Sequence, residues 1–105
     1  MKLVVACDVD GTLDTSNGPV PVRRLLELQG YGAHVWIVSP SEKRPAGFRE
    51  AIDSDRATNL RQVRLAEYAE DALAGTFLYL YISDNKDYDA ARQTGFTYVE
   101  AAQFA

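Results

Sequence analysis

The sequence predicts an α/β fold with a small, mostly parallel sheet flanked by helices, and three observations support this prediction. Three short apolar runs, at residues 3–7, 33–38 and 77–82, have the continuous apolar character of strands buried on both faces. Segments with helical spacing of apolar residues lie between these runs. Each run ends in polar residues, which places a polar rim at the carboxyl edge of the sheet, where open α/β sheets bind their ligands.

Size and composition limit the classes of protein that fit. The chain has 105 residues, 47% of them hydrophobic, so we expect a single folded domain over residues 1–105. The formal net charge of −4 argues against tight nucleic-acid binding through phosphates, although a nucleotide or an oligonucleotide end is still allowed as substrate. Cys7 is the one cysteine, so a reducing compartment is favoured. Without a signal-peptide core in residues 1–20 or a membrane-spanning run, the expected location is the cytoplasm.

The first part of the chain predicts a β-α-β unit with parallel strands and a right-handed crossover. A strand over residues 3–7 is followed by a turn-rich loop over residues 13–21. A helix then ends at Gly30, and a strand over residues 33–38 ends in Ser39. The apolar face of this helix consists of Val22, Leu25, Leu26 and Leu28.

The second part of the chain predicts the longest helix, over residues 58–74, ended by Gly75. The polar segment before it allows at most a short helix over residues 47–52. After the strand at 77–82, a short helix around Ala90 ends at Gly95. A last strand over residues 97–99 and a terminal turn over 101–105 complete the chain. The apolar face of the long helix consists of Leu60, Val63, Ala66, Ala69 and Leu73.

Five polar side chains are expected to converge, because parallel strands end at the same edge of a sheet. They are Asp8, Asp10, Ser39, Asp84 and Asp87. Four carboxylates so close together repel one another unless a cation lies among them, and oxygen ligands favour Mg²⁺. The alternative is that the Asp-Gly pair is an ordinary turn and that Asp8 caps the next element.

At these positions the sequence resembles the haloacid dehalogenase superfamily of phosphotransferases. The first motif of that family, Asp-x-Asp-Gly-Thr, is present as Asp8, Asp10, Gly11 and Thr12. Ser39 stands where the family has its second motif. The fourth motif, an acidic cluster followed by a helix and a glycine, corresponds to residues 83–95.

Two assignments within the resemblance stay open. Asp84 matches the first acid of the fourth motif, whereas the second acid is Asp87 by spacing from the glycine, with Asp89 as the other candidate. The third motif is a lone basic residue. Arg64 is the first choice, and Arg61 and Lys43 are the alternatives.

The resemblance implies roles for the acidic residues. Asp8 would attack phosphorus to form an aspartyl-phosphate, and Asp10 would act as general acid and then general base. Mg²⁺ would be held by Asp8, by the backbone carbonyl of Asp10 and by Asp84.

The remaining motif residues would support these three acids. Ser39 and Arg64 would bind the other phosphoryl oxygens. Gly11 gives the turn after the strand and Thr12 would fix the loop. Asp87 or Asn85 would hold metal-bound water or orient the basic residue.

The carboxylate at Asp10 favours phosphate-ester hydrolysis over dehalogenation or phosphonate cleavage within the family. Neither residues 13–21 nor residues 40–57 have room for a cap domain, so the resemblance implies an open, capless site. The spacing from Arg64 to Gly95 is similar to that in the 3′-phosphatase domain of phage-type polynucleotide kinases, which favours a polynucleotide 3′-phosphate. Nucleotides, other small phosphomonoesters and a homo-oligomer that covers the site are alternatives. Two other functions fit: a non-catalytic domain that binds metal or a phosphorylated partner, and a phosphotransferase to an acceptor other than water.

Two further residues could be mistaken for catalytic groups. His34 begins a strand and is expected to be a partly exposed residue at the edge of the core. Strand alternation turns Cys7 to the face opposite Asp8, so a buried, unreactive thiol is expected.

Overall fold

The computed structural model describes residues 2–72 and 77–105. Five strands form one sheet, and every paired strand runs parallel to its neighbour. The elements, in chain order, are β1 (Lys2–Cys7), α1 (Val22–Gly30), β2 (His34–Ile37), β3 (Arg49–Glu50), α2 (Arg56–Glu70), β4 (Phe77–Ser83), α3 (Tyr88–Thr94), β5 (Thr97–Glu100) and α4 (Ala101–Phe104). The predicted α/β class, with a parallel sheet flanked by helices, is confirmed.

The strand order β3-β2-β1-β4-β5 puts β1 in the centre of the sheet. Cys7, the last residue of β1, pairs with Ile37 in β2 and with Ile82 in β4. The three strands therefore end at nearly the same level, as the sequence predicts. This common edge is where the polar residues that follow each strand meet.

Helices cover both faces of the sheet and make two apolar clusters. Val4 and Ala6 of β1 face α2 and α3, where they pack with residues such as Leu60. Val5 and Cys7 face α1 and α4 and pack with residues such as Leu25. Alternation continues past the end of β1, so the next even-numbered side chain, Asp8, lies on the α2 side. The expectation of a buried Cys7 on the other face is confirmed, since its side chain has no exposed surface.

The segment between β2 and α2 differs from the prediction. Residues 47–52 form no helix; Arg49 and Glu50 instead make a two-residue strand beside β2. Both strand residues are charged and exposed, so the strand itself has none of the apolar character by which a strand is recognised.

The long helix is shifted toward the amino terminus relative to the prediction. It begins at Arg56, because the side chain of Asp55 accepts a hydrogen bond from the Ala57 N–H and caps the helix. It ends at Glu70, four residues before the predicted end. Leu73 and Gly75, which the sequence assigns to the last turn and the stop of this helix, lie outside the described residues.

The other elements lie close to their predicted bounds. The turn-rich loop contains a short 3₁₀ turn over Asp14–Ser16, and the predicted terminal turn is the four-residue helix α4. Gly95 ends α3 in a left-handed conformation, with φ of 81°. Within the described ranges, no helix has the length and apolar character needed to cross a membrane.

Candidate active site at the carboxyl edge of the sheet

Asp8 is a buried carboxylate held in a fixed position. Its backbone N–H continues the ladder to β4 by donating to the Ile82 carbonyl at 3.0 Å, and the residue is only 3% exposed. The Val9 N–H donates to Oδ1 at 2.9 Å, and Nδ2 of Asn85 donates to Oδ2 at 2.8 Å. Burial raises the pKa of Asp8, although a nearby arginine and the Val9 N–H act in the opposite direction.

The loop after Asp8 is tied to the end of β4. Gly11 adopts a φ of 72°, which favours glycine, and a Cβ at this position would overlap Oδ2 of Asp84. Thr12 Oγ1 donates to Oδ1 of Asp84 and accepts from the Asp84 N–H, both at 3.2 Å. Gly11 and Thr12 therefore fix Asp84 beside the loop that carries Asp8.

Asp10 is exposed, and its carboxylate faces two hydroxyl groups. Oδ1 accepts hydrogen bonds from Ser16 Oγ at 2.6 Å and from Ser41 Oγ at 3.0 Å. These two hydrogen bonds lower the pKa of Asp10, with a smaller effect from the positive charge of Lys43. The side chain of Asp10 thus joins the loop after β1 to the loop after β2.

Arg56 is the basic residue that contacts Asp8. As the first residue of α2, it places Nη2 3.4 Å from Oδ1 of Asp8 and Nε 3.9 Å from Oδ2 of Asp87. Asp87 also accepts a hydrogen bond from the Tyr81 hydroxyl at 3.1 Å. Nε and Nη1 of Arg56 are buried and have no hydrogen-bond partner within the part of the chain that the structure describes. Sequence reasoning missed this residue. A helix that follows a parallel strand begins at the carboxyl edge of the sheet, so basic residues in the first turn of such a helix are candidates for this site.

Arg64 lies elsewhere, which corrects the expectation that it joins the acids. Its Nη1 donates to the Thr94 carbonyl at 2.8 Å, and its guanidinium lies 4.7 Å from the centre of the Tyr79 ring. Eight residues along a helix correspond to about 12 Å, so Arg64 is two turns away from Arg56. Arg61 lines the same surface groove as Arg64, outside the acidic edge.

Asp87 and Asp89, the two candidates for the second acid, lie at different places in the structure. Asp87 contacts Arg56 and Tyr81, whereas Asp89 is exposed and pairs with Arg92 at 2.5 Å on the outside of α3. Among the predicted residues, Asp87 is therefore the second acid at this edge.

Ser39 is buried at the end of β2, as its predicted place in the rim requires. It is 3% exposed, and its Oγ accepts the Ser41 N–H at 3.1 Å. That bond uses a lone pair of the hydroxyl and leaves its proton available for donation. Lys43, the remaining basic candidate, is exposed in the same loop, and its N–H donates to Ser41 Oγ at 3.1 Å.

Two carboxylates and one backbone carbonyl at the edge offer oxygen atoms of the kind that Mg²⁺ prefers as ligands. Asp8 and Asp84 supply carboxylate oxygens; burial is the main reason that the pKa of Asp8 is raised, and the negative charges of Asp87 and Asp84 add to that rise. The Asp10 carbonyl accepts no hydrogen bond within the described residues, whereas its carboxylate is engaged by the two serines. The backbone carbonyl oxygen of Asp10 is therefore free, within the described residues, to act as a metal ligand, as the resemblance implies.

A second polar cluster lies on α2, β2 and β3. Among the described residues, His34, Glu67 and Glu70 are the one group of three whose ligand atoms lie within 4.8 Å of one another. His34 Nδ1 is 2.7 Å from Glu67, and Arg49 bonds to both glutamates, at 3.2 and 2.7 Å. Because the guanidinium already lies between the two carboxylates, we interpret the cluster as an ion-pair network. The side chain of His34 is 22% exposed, which confirms its expected place at the edge of the core.

The carboxyl edge thus combines the buried carboxylate of Asp8, the carboxylate of Asp84 bonded to Thr12, the exposed acid Asp10, and Arg56, two of whose nitrogens lack a hydrogen-bond partner among the described residues. Comparisons of the chain with protein-family models, with curated proteins and with solved structures found no match. The chemistry of this edge is therefore argued from its side chains.

Proposed function

We propose that the protein is a magnesium-dependent phosphomonoester hydrolase of the haloacid dehalogenase type, without a cap domain, that acts through an aspartyl-phosphate on Asp8. The observation that best supports this proposal is the pair formed by Asp8 and Arg56. Two buried nitrogens of Arg56 have no hydrogen-bond partner within the described residues, and buried donors without acceptors are costly. A phosphoryl group beside Asp8 would bring the charged acceptor oxygens that these donors lack.

Asp8 has the properties of the nucleophile. Its hydrogen bonds to the Val9 N–H and Asn85 fix the direction of the carboxylate, and burial removes the water that would otherwise solvate it. In the first step a carboxylate oxygen of Asp8 forms a bond to phosphorus while the bond from phosphorus to the ester oxygen breaks. Arg56 stabilises the negative charge of the phosphoryl oxygens during this step.

Asp10 has the properties of the proton-transfer group. It gives a proton to the leaving ester oxygen in the first step. In the second step it takes a proton from the water that attacks phosphorus, the bond from phosphorus to Asp8 breaks, and inorganic phosphate leaves. Ser16 and Ser41 orient the carboxylate and lower its pKa in the free protein, which favours the ionised form required in the second step. A nearby phosphoryl anion favours the protonated form required in the first.

The other residues of the edge hold these groups in place. Asp8, Asp84 and the Asp10 carbonyl would hold Mg²⁺, which neutralises charge on the phosphoryl oxygens when it is bound. Thr12 and Gly11 position Asp84 for that role. Asn85 orients Asp8 through a hydrogen bond, and Asp87 orients Arg56 through an ion pair. Ser39 offers its hydroxyl to a phosphoryl oxygen.

The substrate is proposed from the openness of the edge together with the resemblance. Asp10, Asp84 and Asn85 are exposed, which suits a substrate that brings its own surface. A polynucleotide 3′-phosphate is the first candidate, followed by nucleotides and small phosphomonoesters. A homo-oligomer whose second copy covers the edge stays part of the proposal.

The test is magnesium-dependent phosphate release by wild type, Asp8→Asn and Asp10→Asn. The panel contains p-nitrophenyl phosphate, nucleotides, sugar phosphates, a phosphopeptide and a 3′-phosphorylated oligonucleotide. We expect turnover that requires Mg²⁺ and is lost in both variants, with Mg²⁺-dependent phosphate binding kept in Asp10→Asn. Equal release by wild type and Asp8→Asn, or no release from any substrate, would contradict the proposal. Added alcohols that accept the phosphoryl group would identify a phosphotransferase instead.

A further inference from the structure

A concave surface lies between α2 and α3, away from the acidic edge. This groove has a volume of about 370 Å³, within the range of small-molecule sites. The lining residues that matter here are Arg61, Arg64, Leu65, Tyr68, Tyr79 and Gln93. None of them takes part in the proposed hydrolysis, so the groove requires an explanation of its own.

Arg64 presents a flat cation at this groove. Its Nη1 is anchored on the Thr94 carbonyl at 2.8 Å, and one face of the guanidinium lies 4.7 Å from the centre of the Tyr79 ring. Tyr79 is itself packed against Phe96, with ring centres 5.1 Å apart, and is 8% exposed. Arg64 is exposed, so part of its side chain is accessible to a ligand. A guanidinium held in this way is a stacking surface for a planar ring.

The charge of the groove is opposite to that of the chain. Arg61 and Arg64 lie one turn apart on α2, and none of the described lining residues is acidic. The whole chain carries a formal charge of −4. Two guanidinium groups without a lining carboxylate favour an anionic ligand.

Apolar and aromatic side chains remain exposed beside these cations. Leu65 is 71% exposed and Tyr68 is 62% exposed. The Gln93 side chain adds one amide that can both donate and accept hydrogen bonds. The groove therefore combines aromatic rings that can stack on the ring of a ligand, cations that can pair with its anionic group, and an amide that can hydrogen-bond to its polar edge.

We propose that the groove binds a small planar aromatic anion of the nucleoside monophosphate class. The ring of the ligand stacks on Arg64 and against Tyr68, and its phosphate pairs with Arg61. The site is distinct from the acidic edge, since Arg64 is two turns of α2 away from Arg56.

The experiment is a titration of the full chain with AMP in EDTA, where metal-dependent hydrolysis cannot occur. Binding is monitored by calorimetry and by amide chemical shifts. The variants are Arg61→Gln, Tyr68→Leu and, as a control at the other site, Arg56→Gln. We expect AMP affinity to fall at least about tenfold in each groove variant and to be kept in Arg56→Gln, with shifts centred on α2 and α3. Thermal unfolding of each variant confirms that it is folded.

Two simpler ligands separate stacking from charge. Adenosine lacks the phosphate and ribose 5-phosphate lacks the ring, so each should bind at least about tenfold more weakly than AMP. If Arg56→Gln lost AMP binding while Arg61→Gln kept it, the proposal would be overturned and the nucleotide would be assigned to the acidic edge. Equal affinity for ribose 5-phosphate, or no AMP binding at millimolar concentration, would also overturn it.

Discussion

The guanidinium of Arg56 lies against the carboxylate of Asp8, with Nη2 3.4 Å from Oδ1. Asp8 directly follows β1, whereas Arg56 is the first residue of α2. Arg56 is 18% exposed in its side chain, and its Nε and Nη1 have no hydrogen-bond partner within the described residues. The pair therefore joins a buried carboxylate to a guanidinium whose Nε and Nη1 can still donate hydrogen bonds. This combination distinguishes Arg56 from the other basic residues considered for the site.

Replacement of Arg56 by Gln should lower kcat by about 10²–10³, because a donor to the phosphoryl oxygens in the transition state is lost. The matched variant is Arg64→Gln on the same helix. It should keep kcat while it costs about 1 kcal/mol of unfolding free energy, since it removes the bond to Thr94 and the contact with Tyr79. Steady-state phosphate release and urea unfolding measure the two effects. An inactive Arg64→Gln together with an active Arg56→Gln would refute this assignment.

The position of the acids could be predicted from sequence because it depends on local periodicity. Alternation along β1 is enough to place Cys7 and Asp8 on opposite faces, and the structure has them so. The edge shared by the strand ends follows from parallel pairing alone, and the register confirms it. Such features need no knowledge of distant contacts.

The identity of the basic residue depended on the exact start of α2, which sequence periodicity does not define. The apolar spacing that predicts this helix begins at Leu60, whereas the helix begins at Arg56 after the Asp55 cap. The preceding strand, β3, consists of exposed Arg49 and Glu50 and is held by pairing with β2. A two-residue polar strand has no signal of its own, so the route of the chain to the carboxyl edge could not be predicted.

Glu67 shows a second limit of sequence reasoning. A glutamate within a helix is normally exposed, yet this one is fully buried and accepts bonds from Trp36 and Arg49 as well as contacting His34. All three partners are distant in sequence. Its burial follows from tertiary packing, which the helical pattern does not contain.

Asp8→Asn should raise the melting temperature of the metal-free protein at pH 7 by a few degrees. The pKa of Asp8 is raised in the folded protein, so its ionised form costs stability above the folded pKa. As the pH falls through the folded pKa toward the ordinary value, the folded protein takes up the proton first and this cost disappears. The difference between Asp8→Asn and wild type should therefore shrink toward pH 4.

Thermal unfolding in EDTA at several pH values measures this difference. Asp89→Asn is the control, because Asp89 is exposed and pairs only on the surface with Arg92. Its melting temperature should stay close to that of wild type at each pH above the acidic range. A melting temperature of Asp8→Asn below that of wild type at pH 7 would show that the pairing with Arg56 outweighs the cost of burial.

Glu67→Gln should lower the unfolding free energy by about 2 kcal/mol or more, because the buried carboxylate has charged hydrogen bonds that a neutral amide replaces poorly. Glu70→Gln also removes a partner of Arg49, but at an exposed position, so the urea midpoint should hardly change. Both variants should keep phosphate release well below their melting temperatures, since the network lies away from Asp8. A larger shift of the urea midpoint in Glu70→Gln than in Glu67→Gln would contradict the importance given to burial.

Gly11→Ala should destabilise the fold and weaken Mg²⁺ binding, whereas Gly47→Ala should only destabilise it. Both glycines have positive φ, 72° and 96°, so an alanine costs about 1–2 kcal/mol of backbone strain at either position. A Cβ at Gly47 meets open space, but at Gly11 it overlaps the carboxylate of Asp84. Added Mg²⁺ should therefore raise the melting temperature of wild type and Gly47→Ala, through ligand linkage, and leave Gly11→Ala almost unchanged. An equal response in the two variants would mean that Asp84 can move aside without loss of the metal, and that its fixed position is not required.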